Sequence, residues 1–314
     1  MVLRFVRESM DRDQEKAPVD ENDQLARQFE QNRGQLRAVA YRMLGSLAEA
    51  EDAVQEAWLR LSRSDVSDVG NLAGWLTTVV SRVCLDMLRS RKSRREDSLD
   101  TFVPDPIVSR EDGGLGPEDE ALQADAVGLA LLVVLETLSP SERLAFVLHD
   151  MFGVSFDEIA TIVEKTPAAT RQLASRARRR VQGAPVGDGD TGRQRAVVEA
   201  FMAASRGGDF EALLELLDPD VVLRADAGGA TEDFAGPAVS KLVRGARAVV
   251  EQALLFTRMA PYTELAVVNG TPGAVTIVNG RLMGVMGVTV VDGTITEIDI
   301  LADLDRLKEL PLPA

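Results

Sequence analysis

Apolar positions in the first third of the chain recur at intervals of three and four. Leu36, Val39, Ala40, Met43 and Leu44 form one set, Ala53, Val54, Ala57, Trp58 and Leu61 a second, and Trp75, Leu76, Val79, Val80 and Val83 a third. That spacing builds one face of a helix, so residues 24–95 are predicted to hold three amphipathic helices. Residues 96–125 break the pattern with Pro104, Pro106, Pro117, the pair Gly113-Gly114 and ten acids, which predicts an extended acidic linker with no core of its own. The helical period returns over 126–183. Ser139-Pro140-Ser141-Glu142 and Ser155-Phe156-Asp157-Glu158 each place Ser at a cap and Glu three residues on, and Thr166-Pro167 is a cap followed by proline. Helices are expected to end near 138 and to span about 140–151, 156–164 and 167–181, with a turn at Glu164-Lys165-Thr166 short enough for a helix-turn-helix.

Beyond a loose linker at 184–192 the period changes. Helices at 194–206 and 210–217 precede strand-like runs at 221–225, 265–268, 274–278, 281–291 and 294–300, separated by Asn269-Gly270, Asn279-Gly280 and Asp292-Gly293. The fold class expected is therefore multidomain: two all-α units, then an α+β unit over 193–314 with a curved antiparallel sheet, behind an acidic tail at 1–23.

Charge sharpens this division. The 314 residues carry a net charge of −15, which argues against a general polyanion binder. By segment, however, the charge is −3 over 1–23, +4 over 24–95, −9 over 96–125, zero over 126–189 and −7 over 190–314. Cations concentrate in two stripes, Arg89, Arg91, Lys92, Arg94 and Arg95, and Arg171, Arg176, Arg178, Arg179 and Arg180. Each closes a predicted helix, where cations also complement the helix dipole. The single Cys84 permits no internal disulfide and the single His149 no histidine-rich metal site, so no metal, cofactor or catalytic residue is assigned. The longest apolar run, 126–135, is short of a membrane span, and Arg4, Arg7 and Glu8 interrupt any leader, so a cytoplasmic protein with no membrane partner is expected.

A helix that enters the major groove needs small residues where its backbone approaches DNA and long donors beyond them. Thr166, Ala168, Thr170, Arg171 and Gln172 fit that description. Arg171 and Gln172 suit guanine and adenine edges, whereas Arg176, Arg178, Arg179 and Arg180 suit phosphate.

The first unit makes the reading specific. The run Ala50-Glu51-Asp52-Ala53-Val54-Gln55-Glu56-Ala57-Trp58-Leu59-Arg60, then Trp75-Leu76-Thr77-Thr78-Val79-Val80, then Leu85-Asp86-Met87-Leu88-Arg89 resembles region 2 of bacterial σ factors of the extracytoplasmic-function family. The order region 2, linker, region 4 matches too. The resemblance implies a factor that binds core RNA polymerase through the β′ coiled coil and the β flap and directs it to promoter DNA. Asp52, Gln55, Glu56 and Leu59 would form the β′-docking face, while Trp58 and Trp75 read as core. The resemblance further implies that the loop at 64–71 and the helix after it read the −10 element as single strand with one base extracted, for which Asp68, Asn71, Arg82, Arg89, Arg91 and Lys92 are the candidates. The helix with Arg171 would read the −35 element.

The tail resembles a SnoaL-like domain, a cone of curved sheet fused to one σ subgroup. That subgroup carries Trp-Leu-Pro-Glu-Pro, Asp-Gly-Gly-Gly-Arg and Asn-Pro-Asp-Lys-Leu motifs. Here the matching stretches read Phe102-Val103-Pro104-Asp105-Pro106, Asp226-Ala227-Gly228-Gly229-Ala230 and Asp303-Leu304-Asp305-Arg306-Leu307. Regulatory tail contacts are accordingly expected at Pro104, Asp105, Pro106, Asp226, Gly228, Gly229, Asp305 and Leu307, with the tail modulating the factor and open to a small-molecule or protein partner. Two other classes stay open: a helix-turn-helix regulator with a ligand-sensing tail, and a SnoaL-type enzyme. The enzyme reading lacks a histidine anywhere in the tail.

Overall fold

The computed structural model describes residues 17–64, 69–94, 101–109, 128–183, 187, 189–228, 240–255 and 257–310. Among the described residues three helices come first, α1 (Ala17–Leu44), α2 (Leu47–Leu61) and α3 (Leu72–Arg94). Their periodic residues do what the spacing predicts: Leu36, Val39, Met43, Ala53, Val54, Leu61, Leu76 and Val80 are buried against one another. Gly45, at φ 67°, turns the chain between α1 and α2, and Ser46 caps α2 by accepting the Glu49 amide at 3.4 Å. A Cβ on Gly45 would stand 2.7 Å from Glu136 Oε1 and 3.4 Å from Pro104, so this turn is where three parts of the chain meet.

The second unit comprises α4 (Leu129–Glu136), α5 (Pro140–Phe146), α6 (Phe156–Val163) and α7 (Pro167–Gln182). The expected helix at 140–151 is one helix only to Phe146; Val147–Met151 continue it as a single π-turn. The Glu142 carboxylate accepts both the Ser139 amide and its hydroxyl, and Glu158 does the same for Ser155. Glu164 adopts φ 56° and Thr166 caps α7 through the Ala169 amide at 3.2 Å, which completes the helix-turn-helix.

In the third unit α8 (Thr191–Gly207) and α9 (Phe210–Leu216) lead into β2 (Leu217–Asp226), β3 (Lys241–Arg244), α10 (Ala246–Leu255), β4 (Thr263–Val268), β5 (Thr271–Val278), β6 (Arg281–Val291), β7 (Thr294–Leu301) and α11 (Leu304–Glu309). Asn269-Gly270, Asn279-Gly280 and Asp292-Gly293 all sit at positive φ on both residues, the conformation of tight hairpin turns whose twist matches the strands. The seven-stranded sheet runs β1-β4-β5-β6-β7-β2-β3, where β1 is Val108–Ser109. Its pairs are antiparallel except β2 with β7, which run parallel.

The stretch 101–109 departs from a free linker. It has no core of its own, but Val103, Ile107 and Val108 are buried in its neighbours' core, and β1 pairs with β4 through Val108↔Val268 and Ser109↔Val267. Two apolar clusters result. One, inside the cone, joins Val198, Phe201, Leu213, Leu223, Val249, Val288 and Ile298. The other runs from both helical units through 101–109 to Val268, Val275, Val285 and Leu301 on the opposite side of the sheet, so both sheet faces are covered.

Candidate polymerase and DNA surfaces and the interface joining them

On α2, Asp52 and Gln55 are exposed, and Leu59, at 38% exposure, is one of three exposed large hydrophobic residues among those described. Glu56 is half-buried and accepts Arg60 Nε at 2.8 Å. A groove of about 380 Å³ between α1 and α2 is lined by Phe29, Glu30, Gln55 and Trp58, and one of about 530 Å³ between α2 and α3 by Glu56, Asp86 and Met87. Trp58 packs on Phe29 with ring centroids 5.1 Å apart, and both Trp58 and Trp75 pack against the helical core.

The −10 candidates fare unevenly. Asp68 and the Lys92 side chain lie outside the described residues. Asn71 is exposed and accepts the Gly74 amide at 3.0 Å, so it caps α3. Arg82 is exposed, and Arg89 stands 3.7 Å from Asp86. Arg91 is a correction: its side chain, 13% exposed, donates to Leu44 O at 3.0 Å, pairs with Glu49 and faces the Phe102 ring, so it is built into the interior here and is not presented to DNA.

Along α7, Thr166, Ala168, Arg171, Gln172, Arg176 and Arg179 are exposed. Arg171 lies 5.6 Å from the Phe156 ring, whose other neighbour is the His149 ring at 3.8 Å. Thr170 is fully buried and donates to Thr166 O at 3.0 Å, which makes it a core residue and removes it from the groove-reading set. Three of the expected phosphate donors already have carboxylates. Arg176 Nε donates to Glu142 at 2.7 Å, Arg180 to Glu142 at 3.3 Å, and Arg178 grips both Asp150 oxygens at 2.6 to 3.1 Å. Burial alone would raise the Glu142 carboxyl, but the bonds from Ser139 and Arg176 outweigh it and hold it below its usual value.

The tail meets the linker strip, and through it the first helical unit, by way of one residue the sequence reading left out, Arg306. Asp303 caps α11 by accepting the Asp305 and Arg306 amides, which aims Arg306 inward. Arg306 pairs with Asp105, donates to Asp226 Oδ2 at 2.8 Å and to Val103 O at 2.7 Å, and lies 4.8 Å over the Phe102 ring. The two carboxylates are almost fully buried and continue the network. Asp105 accepts the Leu47 amide at 2.9 Å and Asp226 the Val103 amide at 3.2 Å. Tyr41 donates to Asp105 O at 2.5 Å and accepts from Asn269 Nδ2 at 3.2 Å; burial, opposed by the Asn269 bond, pushes its phenol up. Asn269 in turn exchanges backbone and side-chain bonds with Ile107.

Of the expected tail contacts, Pro104, Asp105, Pro106, Asp226 and Leu307 are buried here, and Gly228 turns beside Asp226 with its amide 3.2 Å from the carboxylate. Gly229 lies outside the described residues. Asp305 is a correction: its side chain is 87% exposed and reaches Lys308, not the interface. The second unit joins through Arg143, which donates to Met43 O at 2.9 Å and to Glu136 at 2.6 Å.

A three-helix unit with an open, partly acidic face, a helix-turn-helix with a basic second helix, and an attached curved-sheet domain define a σ-type initiation factor. The Sigma-70 region 2 family model matches residues 28–94 and the Sigma-70, region 4 model residues 128–181. The chain is 41% identical over 300 residues to the ECF RNA polymerase sigma factor SigJ of Mycobacterium tuberculosis strain H37Rv, covering 91% of this chain and 94% of that protein. The probable ECF RNA polymerase sigma factor SigI of the same strain is 34% identical over 302 residues, covering 93% and 98%. A crystal structure of M. tuberculosis SigJ superposes with a TM-score of 0.72 at 39% identity, over 91% of this chain and 99% of that one. The chain belongs to the extracytoplasmic-function RNA polymerase sigma factors, alternative initiation factors that direct RNA polymerase to promoters, and carries a SnoaL-like domain behind its two σ domains.

Proposed function

We propose that this σ factor is regulated by its own tail, which clasps the two σ domains and the linker into a closed arrangement that polymerase and promoter must open. The carrying observation is the Arg306 network, in which one guanidinium ties α11 to Val103 and Asp105, while Asp105 is tied to the α1–α2 turn. The direct packing of Arg143 on Met43 supports it, because two σ domains held side by side cannot each reach a separate promoter element. In the open form Asp52, Gln55, Glu56 and Leu59 dock on the β′ coiled coil and the second unit on the β flap. Asn71, Arg82 and Arg89 then serve the −10 strand, and Thr166, Ala168, Arg171, Gln172 and Arg179 the −35 duplex. The tail works by binding and not by chemistry: Leu223 and Ile298 face the cone core, so the neighbouring Arg224, Glu297 and Asp299 point away from it. Among the described residues no helix is long and apolar enough to cross a membrane.

A reversible staple tests this. Ser109 and Val267 are antiparallel partners in β1 and β4, a spacing that accepts a disulfide. Oxidised S109C/V267C should lose run-off transcription with core polymerase and recover it on reduction. Equal transcription by the oxidised and reduced forms would remove the closed-state reading.

A further inference from the structure

The cations of α7 are unequal, and the inequality bears on how the helix holds DNA. Arg171, Ser175, Arg178 and Gln182 fall at i, i+4, i+7 and i+11, so Arg178 shares the stripe of the residue best suited to a base edge. Free, its guanidinium would lie within reach of phosphate. Instead its Nε and Nη2 grip both oxygens of Asp150, on the π-turn that ends α5. Arg179, one residue on, is exposed and has no carboxylate partner among the described residues. The pair contributes little to stability, because the Arg178 side chain is 39% exposed and the Asp150 side chain 21%, and ion pairs open to solvent are worth little. Its consequence lies in charge. A bidentate carboxylate is the closest protein equivalent of a phosphate, so while Asp150 holds Arg178 the helix has one phosphate donor fewer.

We infer that Asp150 is a positioning residue that withholds Arg178 from the DNA backbone and so lowers the affinity of α7 for any duplex, leaving sequence to be read by Arg171 and Gln172. This rests on the reading of α7 as the −35 helix. Each phosphate contact adds about 0.9 to the slope of log affinity against log salt, and sequence discrimination is independent of that slope when both complexes gain the same contact.

The test uses holoenzyme assembled from the full chain and core polymerase, on a duplex carrying the −35 element and on its scrambled counterpart, with core polymerase alone as background. D150N should steepen the salt slope by about 0.9 on both duplexes and raise affinity on both by about threefold at low salt, with their ratio unchanged. R178Q should leave the slope as in the parent, and D150N/R178Q should cancel the gain. A purely structural pair would instead lower affinity in D150N. R179A reports on the underlying reading, since it should make the slope shallower by about 0.9. An unchanged slope in D150N beside a shallower one in R179A overturns the role of Asp150 alone; an unchanged slope in R179A overturns the DNA reading of α7 and the inference with it. Should D150N not fold, R178Q decides: a slope shallower by about 0.9 would mean that Arg178 already sits on phosphate, and the inference falls.

Discussion

Replacing Arg306 by Met keeps the length and apolar stem of the side chain and removes only the guanidinium. Two carboxylates, Asp105 and Asp226, then lose their shared counter-charge while 7% and 11% exposed. Removing one partner of a buried ion pair costs about 3 to 5 kcal/mol. The lower end applies here, because Asp105 keeps the Leu47 amide and Asp226 the Val103 amide. Arg306 and Asp226 both belong to the tail, so only the part of that loss carried by Asp105 and Val103, about 2 kcal/mol, is confined to the closed arrangement, and it shifts the closed-to-open ratio about 30-fold toward open. Energy transfer between dyes on cysteines introduced at Ser62 and Lys165, both exposed and on opposite σ domains, reads that ratio directly. The native Cys84 does not compete for label, since burial pushes its thiol up and shields it. R306M should lower transfer and raise run-off transcription, and R306K, with charge but no fork, should fall between. Wild-type transfer and wild-type transcription in R306M would refute the clamp.

Asp52→Lys with Glu56→Lys should abolish copurification with core polymerase while helicity measured by circular dichroism is retained, because Lys is an adequate helix former; normal copurification would remove the docking face from α2. Arg171→Ala should weaken binding by about 1 to 3 kcal/mol on the −35 element and far less on a scrambled site, and equal losses would take Arg171 off the base edges. Burial, then the charge of Asp299, pushes the Glu297 carboxyl up to about 7 from 4.5, so the fold favours its protonated form. Stability from this group is complete below pH 4.5 and is lost as pH rises through 7, so E297Q should raise the melting temperature at pH 8, by the equivalent of about 2 to 3 kcal/mol, and hardly at pH 4. The same gain at both pH values would sink that assignment.

Much of the architecture was legible because local chemistry announces it. The three-and-four spacing gave α1 to α3, the Ser-to-Glu boxes gave the starts of α5 and α6, and the Asn-Gly and Asp-Gly dipeptides gave the hairpins. The four-residue β3 and six-residue α11 are too short to show a period, and the parallel pairing of β2 with β7 is a tertiary fact. The stretch 101–109 read as linker because its prolines erase periodicity, although Phe102, Val103, Ile107 and Val108 signal burial in a borrowed core. Charged residues were the least legible. Arg91, Arg178 and Arg306 look alike as cations, and what separates them is a carboxylate 42, 28 or 201 residues away. Two signals in the sequence could have found Arg306: it stands where the subgroup's terminal motif has its Lys, and two acids in different motifs need a counter-charge once buried.

The placement of the proposed clamp decides what kind of control the tail would exert. Its contacts fall on the α1–α2 turn and the linker strip, while Asp52, Gln55 and Leu59 on α2 and Arg171, Gln172 and Arg179 on α7 remain exposed in the closed arrangement. A tail that covered either surface would compete with polymerase or DNA for a site. One that fixes the distance between two open surfaces changes only the fraction of molecules able to use both together. Linkage then requires reciprocity: engagement of both σ domains by polymerase and promoter must weaken the Arg306 network by the same free energy with which that network opposes initiation. Polymerase can therefore dock on α2 first and meet the clamp afterwards, so a variant that loosens the clamp should act on promoter engagement more than on the initial affinity for core enzyme.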